Sequence, residues 1–336
     1  ANMAGKGHQV PGVPQVVALS FSEDGNSVAI GLQNGFKVCR CDPFAKCFEV
    51  VGNQEDVAVS STHTASAAAA AATTTSRQEP LGRGLIAICK GSKRFLLARV
   101  LHSMQHNRYL HLHDLKTGTI LETLGFPSAV LSCRLLPELL IVALRQELHI
   151  FQIGEGDGKS IVQRVQVMTT APNPKGLMAC STTGNVVSIA YPVHLDQDVT
   201  LAVTQVKSMV STRPHIRTLC AVPIPVSQVM AMMFSPDGAL LAVALSQGKG
   251  IKVIDIPFLR FAYVFRRGLS QTVAPTEVEI LHFSPDNKFL CVCSETGAVN
   301  IYQLLDAERV GAEPELGSPK SLSKESKDSW GRSSMG

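Results

Sequence analysis

Two adjacent arginines, Arg266 and Arg267 in the run Phe265-Arg266-Arg267-Gly268, are the residues of this chain best suited to binding chemistry. Side chains alternate in direction along an extended chain, so such a pair at a strand end can serve two separate pockets. Each guanidinium carries a rigid fork of N–H donors that matches a phosphate in bidentate fashion, which a lysine cannot reproduce. By itself an Arg-Arg dipeptide is also what a solvated basic edge looks like. Its position is what separates the two readings, because it closes one strand-rich repeat and precedes the next.

The repeats are visible in the turns. Phe21-Ser22-Glu23-Asp24-Gly25 returns as Phe234-Ser235-Pro236-Asp237-Gly238 and as Phe283-Ser284-Pro285-Asp286-Asn287, each followed by a hydrophobic strand pattern. Asp with Gly or Asn supplies a tight turn, and strand formers resume after it. The last two copies, at Phe234 and Phe283, lie 49 residues apart, near the roughly 40–45 residues of a propeller blade. Weaker units fill the interval between the first copy and the second. The pattern predicts an all-β chain, a β-propeller of WD-repeat type with about six blades: five full repeats and three strands of a sixth.

The expected domain plan has an N-terminal segment over 1–15, the propeller over 16–305 and a tail over 306–336. An Ala/Thr/Ser tract at 53–82 has no packing pattern and reads as a disordered insertion. The Ser/Lys/Glu-rich stretch from Ala307 on reads as a disordered tail, with the single Trp330 in it as an incidental residue or an interfacial anchor. An array of radial sheets must close to protect its edges. Either Gln9–Val16 supplies a missing strand, or the protein continues beyond Gly336.

Composition sets further bounds. The 336 residues are 45% hydrophobic and 17% charged, enough to bury a large core. A net charge of +4 is compatible with an anionic membrane surface and is weak evidence for nucleic acid. The nine cysteines include no CxxC pair and read as reduced, strand-packed thiols of a cytosolic protein. No apolar run reaches the roughly 18 residues of a membrane span, so contact with a membrane would be peripheral. His111 and His113 would share a strand face, but no Cys or carboxylate stands at ligand spacing, and a polar rim is the simpler reading than zinc. There is no GxSxG elbow, P-loop, HExxH or kinase pattern, so catalysis is not expected, and neither is a cofactor.

With the repeats laid out, the chain resembles the PROPPIN family, seven-bladed β-propellers that bind phosphoinositides in autophagy. The resemblance covers roughly residues 16–304. It rests on the Phe265-Arg266-Arg267-Gly268 run between the fifth and sixth repeats, on Gly35-Phe36-Lys37-Val38 with Cys41-Asp42-Pro43-Phe44, on Pro172-Asn173-Pro174-Lys175-Gly176-Leu177, and on Ala190-Tyr191-Pro192. What it implies is that Arg266 and Arg267 each serve a pocket for phosphatidylinositol 3-phosphate or 3,5-bisphosphate. Ser227 is implied beside Arg266, and Ser294 with Thr296 beside Arg267. The family's donors are incompletely kept. Val243 and Leu245 stand where small hydroxyl residues are usual, with Lys249 and Lys252 nearby, and Ala298 and Asn300 replace a Thr and a His.

The resemblance further implies a phosphoinositide-reading adaptor on autophagic (phagophore assembly site) or endolysosomal membranes, with a phosphoinositide-containing membrane and autophagy proteins as partners. The alternative is a WD-repeat scaffold that has lost lipid binding. An RNA-binding propeller is a third, less favoured class, and no nucleic-acid partner is expected.

Overall fold

In the computed structural model the described residues are 16–22, 24–32, 35–51, 84–90, 94–101, 106–154, 161–195, 198–207, 215–222, 224–246, 250–266 and 277–305. The expected insertion at 53–82 falls wholly outside them, as do the segment 1–15, the tail after 305 and Trp330.

The chain divides into two compact units, Ala1–Leu177 and Met178–Gly336. The first unit holds three four-stranded antiparallel sheets. These are β1 (Val16–Phe21) to β4 (Ala45–Val51) through β2 (Ser27–Leu32) and β3 (Gly35–Arg40); β5 (Leu85–Lys90) to β8 (Thr119–Gly125) through β6 (Phe95–Val100) and β7 (Tyr109–Asp114); and β9 (Ser132–Leu135) to β12 (Val162–Thr169) through β10 (Leu139–Ala143) and β11 (Glu147–Ile153). The second unit holds β13 (Ala179–Thr183), β14 (Val186–Leu195), β15 (Asp198–Lys207) and β16 (His215–Val222). Next comes a sheet of β17 (Val229–Phe234), β18 (Leu240–Leu245), β19 (Gly250–Asp255) and β20 (Arg260–Phe265). A three-stranded sheet follows, made of β21 (Val278–Phe283), β22 (Phe289–Ser294) and β23 (Val299–Gln303). Each sheet is an up-and-down meander in chain order. Within each unit the first strand of one sheet lies beside the first strand of the next. The expected fold class, an all-β propeller of WD-repeat type, is the one observed.

The three FSxD turns share one hydrogen-bond plan. In each, the serine hydroxyl donates to the aspartate Oδ1, at 2.6, 2.5 and 2.6 Å for Ser22–Asp24, Ser235–Asp237 and Ser284–Asp286. The same serine oxygen accepts the N–H of Ser27, Leu240 or Phe289 at 2.9 Å. The aspartate accepts a backbone N–H two residues on, and the fifth residue takes a left-handed φ: Gly25 at 69°, Gly238 at 70°, Asn287 at 58°. Gly and Asn are the residues that adopt that region at low cost. The repeat read in the sequence is therefore a repeat of backbone satisfaction at the start of the second strand. Ser235 is wholly buried, so Ser235→Ala strands the Leu240 N–H. The expected cost is about 1–2 kcal/mol in urea unfolding, against roughly 0.5 kcal/mol for Ser284→Ala, which is only half-buried, so that water can take the hydroxyl's place.

The sheets pack face to face through alternate residues. Leu240, Ala242 and Val253 meet Leu281, Phe283, Leu290 and Val292 between the last two sheets. Ala29, Phe36 and Val38 meet Ile86, Ile88 and Leu97 between the first two. Fully burying a side chain of this kind contributes about 1.5–3 kcal/mol.

Local hydrogen bonds fix where some strands begin and end. Strand β13 begins at Ala179 and not earlier, because the Asn173 side chain accepts from Leu177 N at 2.7 Å and donates to Leu177 O at 3.0 Å, holding a turn there with Gly176 at φ 64°. Strand β3 ends at Arg40. Cys41 is not strand-packed, as the cysteines were expected to be, but lies in a turn with its N–H on Asn26 O at 2.8 Å.

Candidate phosphate-binding site

Arg266 leaves the end of β20 as an exposed side chain, and its position is set by Phe265. The Phe265 ring stacks on Tyr263 with centroids 5.9 Å apart and 6° between planes, and lies 4.6 Å from Tyr302 on β23. This clamp joins the last two sheets. Aromatic pairs at such separations add about 0.5–1.5 kcal/mol each to the burial itself. On the neighbouring strand, Gly250 has φ 118°, and a Cβ placed there would meet the Phe265 carbonyl oxygen at 2.1 Å. The close backbone approach of β19 to the end of β20 thus requires glycine.

Arg267 and Lys249 lie outside the described residues. The described residues resume at Glu277, and Val278, the first residue of β21 in the next sheet, pairs in register with Ser294. The last residue of β22, Ser294, is buried; its Oγ lies 3.0 Å from Thr296 Oγ1 and donates to Ala298 O at 3.3 Å. Those contacts shape the turn from Ser294 to Ala298. Thr296, exposed within it, is the hydroxyl that faces solvent. Ser294 and Thr296 are thus brought together, with Ser294 holding the turn and Thr296 presented by it. Glu277 and Glu295 are exposed at the same end, joined by Glu295 N to Glu277 O at 3.1 Å. Their carboxylates oppose anion binding at that end of the sheet.

Ser227 is exposed on a short 3-10 turn, Val226–Gln228, which leads into β17. In the order β17-β18-β19-β20, the start of β17 and the end of β20 lie at one end of the sheet. Two strands stand between them, however, and at about 4.8 Å per strand Ser227 and Arg266 are roughly 14 Å apart. Val243 and Leu245 are buried apolar residues with no donor to offer. Lys252 holds its Nζ 4.5 Å from the centre of the Phe261 ring, a cation–π contact within the same sheet.

The sequence reading missed the aromatic clamp and Gly250. The alternation Phe261-Tyr263-Phe265 was the available signal for the clamp, whereas nothing local to Gly250 announces its proximity to Phe265. His111 and His113 do share a face, with ring centroids 6.4 Å apart. Among the described residues no group of three His, Cys, Asp or Glu side chains is placed to hold a metal ion. No described helix is long and apolar enough to cross a membrane.

Fold and site together define a β-propeller of WD-repeat type with an exposed arginine at the outer end of its fifth sheet. The chain belongs to the PROPPIN family, whose match spans residues 86–322. Autophagy-related protein 18 of Dictyostelium discoideum is 24% identical over 289 residues, covering 86% of this chain and 65% of its own. Human WD repeat domain phosphoinositide-interacting protein 1 is 25% identical over 288 residues, covering 85% of this chain and 54% of its own. The chain thus spans about half to two thirds of the length of these curated relatives. Among solved structures, KlAtg21 in complex with the coiled-coil of AgAtg16 superposes with a TM-score of 0.60 at 19% identity, covering 92% of this chain and 90% of that one. At that identity the likeness concerns the fold.

Proposed function

We propose that this protein is a phosphoinositide-binding adaptor, recruited to autophagic or endolysosomal membranes by lipids phosphorylated at the inositol 3-position. The observation that carries this reading is the placement of Arg266: exposed, at the end of a strand whose last ring is clamped between two sheets, in a chain of the PROPPIN family. A fixed backbone presents the guanidinium without the ordering cost of a loop. Arg267 with Thr296, on the turn held by Ser294, forms the better furnished pocket; Arg266 with Ser227 contributes the weaker one. Two phosphate contacts on one surface make the second effectively intramolecular, which raises avidity for a lipid bilayer. The relatives' names, an autophagy-related protein and a phosphoinositide-interacting protein, agree with this reading. The partners would be the 3-phosphorylated membrane and other autophagy proteins, and the reaction chemistry none. The reading takes 16–305 as the propeller, interrupted at 53–82.

Vesicle sedimentation with and without phosphatidylinositol 3-phosphate tests it. The double replacement Arg266→Thr, Arg267→Thr is expected to reduce lipid-dependent binding more than tenfold, and Arg267→Thr alone to reduce it more than Arg266→Thr alone. Equal binding by the wild type and the double variant would sink the proposal. It would favour instead a protein-interaction scaffold, a reading to which the apolar Val243 and Leu245 and the distant Ser227 already point.

A further inference from the structure

A second cationic feature lies in the first unit, on a different sheet from Arg266. Arg99 on β6 is only 5% exposed. Its Nη2 reaches the Leu32 carbonyl oxygen at a long 3.4 Å, and its guanidinium carbon lies 5.8 Å from the centre of the Phe36 ring. No carboxylate among the described residues pairs with it. Burial alone pushes its pKa down, with no opposing charge to restore it. A guanidinium nevertheless keeps its proton in a protein, and of its five N–H donors one has a protein acceptor among the described residues. Burying such a charge without a counter-charge is costly, since the lost hydration is not replaced.

The surroundings show how the charge could be met. In register, Arg99 lies opposite His111 on β7, and His111 opposite Thr123 on β8. Directly opposed residues share a sheet face, and this face packs against the first sheet through Ile86, Ile88 and Leu97. Exposure falls along the row, from exposed Thr123 through half-buried His111 to buried Arg99. His111 Nδ1 is 3.0 Å from Thr123 Oγ1. A row of polar side chains therefore leads inward from the edge of the second sheet to a cation with no carboxylate partner among the described residues, on a face that also carries His113, Ile86, Ile88 and Leu97.

We propose that Arg99, His111 and Thr123 form a binding site for a small oxyanion, a phosphate or a carboxylate, which approaches over Thr123 and His111 and takes a bidentate bond from the Arg99 fork. The site is independent of the arginine pair on the other unit and of the lipid reading.

The test uses soluble anions and no membrane. The full chain is titrated with sodium phosphate and, separately, sodium acetate, at constant ionic strength made up with chloride, while its thermal midpoint is followed. Phosphate strengthens burial generally, so the variants decide the matter. The wild type is expected to show a saturable rise with at least one anion. Arg99→Lys is expected to need at least tenfold more anion for half-saturation, because a point charge replaces the fork. Arg99→Met is expected to lose the saturable response and, in chloride alone, to unfold at the same temperature as the wild type or higher, since a buried unpaired charge has gone. A response to phosphate alone identifies a phosphate site and a response to acetate alone a carboxylate site. No saturable response to either anion in the wild type, or the same response in Arg99→Met, overturns the proposal.

Discussion

Replacing Gly250 by alanine is expected to destabilise the protein by about 3 kcal/mol or more and to abolish lipid-dependent vesicle binding at temperatures where the variant is partly unfolded. Two costs combine. At φ 118° an L-residue occupies a region used almost only by glycine, a strain of about 1–3 kcal/mol. The added Cβ also lies 2.1 Å from the Phe265 carbonyl oxygen, so the paired backbones of β19 and β20 must separate. That movement displaces the residue immediately before Arg266 and loosens its stacking on Tyr263 and Tyr302. Gly25→Ala is the control: its φ is 69°, but nothing lies within 4 Å of the added Cβ, so only the left-handed strain of roughly 1 kcal/mol applies. Urea unfolding of the two variants gives the comparison. Equal losses would show that the Phe265 contact has no special weight, and intact vesicle binding by a folded Gly250→Ala would show that the strand end does not position Arg266.

The second large effect is a loss of stability in mild acid centred on His113. Its side chain is 4% exposed and packs edge-on against Phe36 with centroids 5.0 Å apart. Burial, helped by His111 and Arg99, lowers its pKa to about 4. An unfolded histidine titrates near 6.5. Between those two values the unfolded chain binds a proton that the folded chain refuses, so stability rises with pH across the window and falls as pH drops through it. The contribution is fully present above pH 6.5 and is used up near pH 4. At 1.36 kcal/mol per unit the loss is about 2 kcal/mol by pH 5 and on the order of 3 kcal/mol by pH 4. His111, lowered by burial in the same direction, adds to the slope. Below pH 3.8 Asp24 continues the decline, because the Ser22 hydroxyl and the Asn26 N–H hold its carboxyl at about 2. Urea unfolding at pH 7 and pH 5 should show a smaller loss for His113→Phe than for the wild type. If the two lose the same amount, His113 is not the acid-sensitive group.

Much of the architecture was legible because its determinants are local. The FSxD turns were read from five-residue segments, and their hydrogen bonds close within a few positions: serine to aspartate, aspartate to a backbone N–H two positions on, serine oxygen to an N–H five positions on, with a left-handed residue between. The start of β13 at Ala179 shows the limit of the pattern. Val, Ile and Leu mark where a strand is possible, while the Asn173 side chain, four residues from the backbone it holds, decides where it begins.

The candidate site divides in the same way. The sequence by itself determined that two guanidiniums follow a strand, because residue type and alternation along one chain are enough for that. Only the tertiary structure decided that Ser227 stands two strands from Arg266, that Ser294 is buried within a turn which presents Thr296, and that Gly250 lies under the Phe265 carbonyl. It also decided that Arg99 faces Phe36 and Leu32, 63 and 67 positions earlier in the chain, with no carboxylate beside it among the described residues. The physical reason is one of range. Turn chemistry and strand alternation act over two to five residues, whereas burial, close backbone approach and the pairing of charges depend on which distant segments the sheets bring face to face.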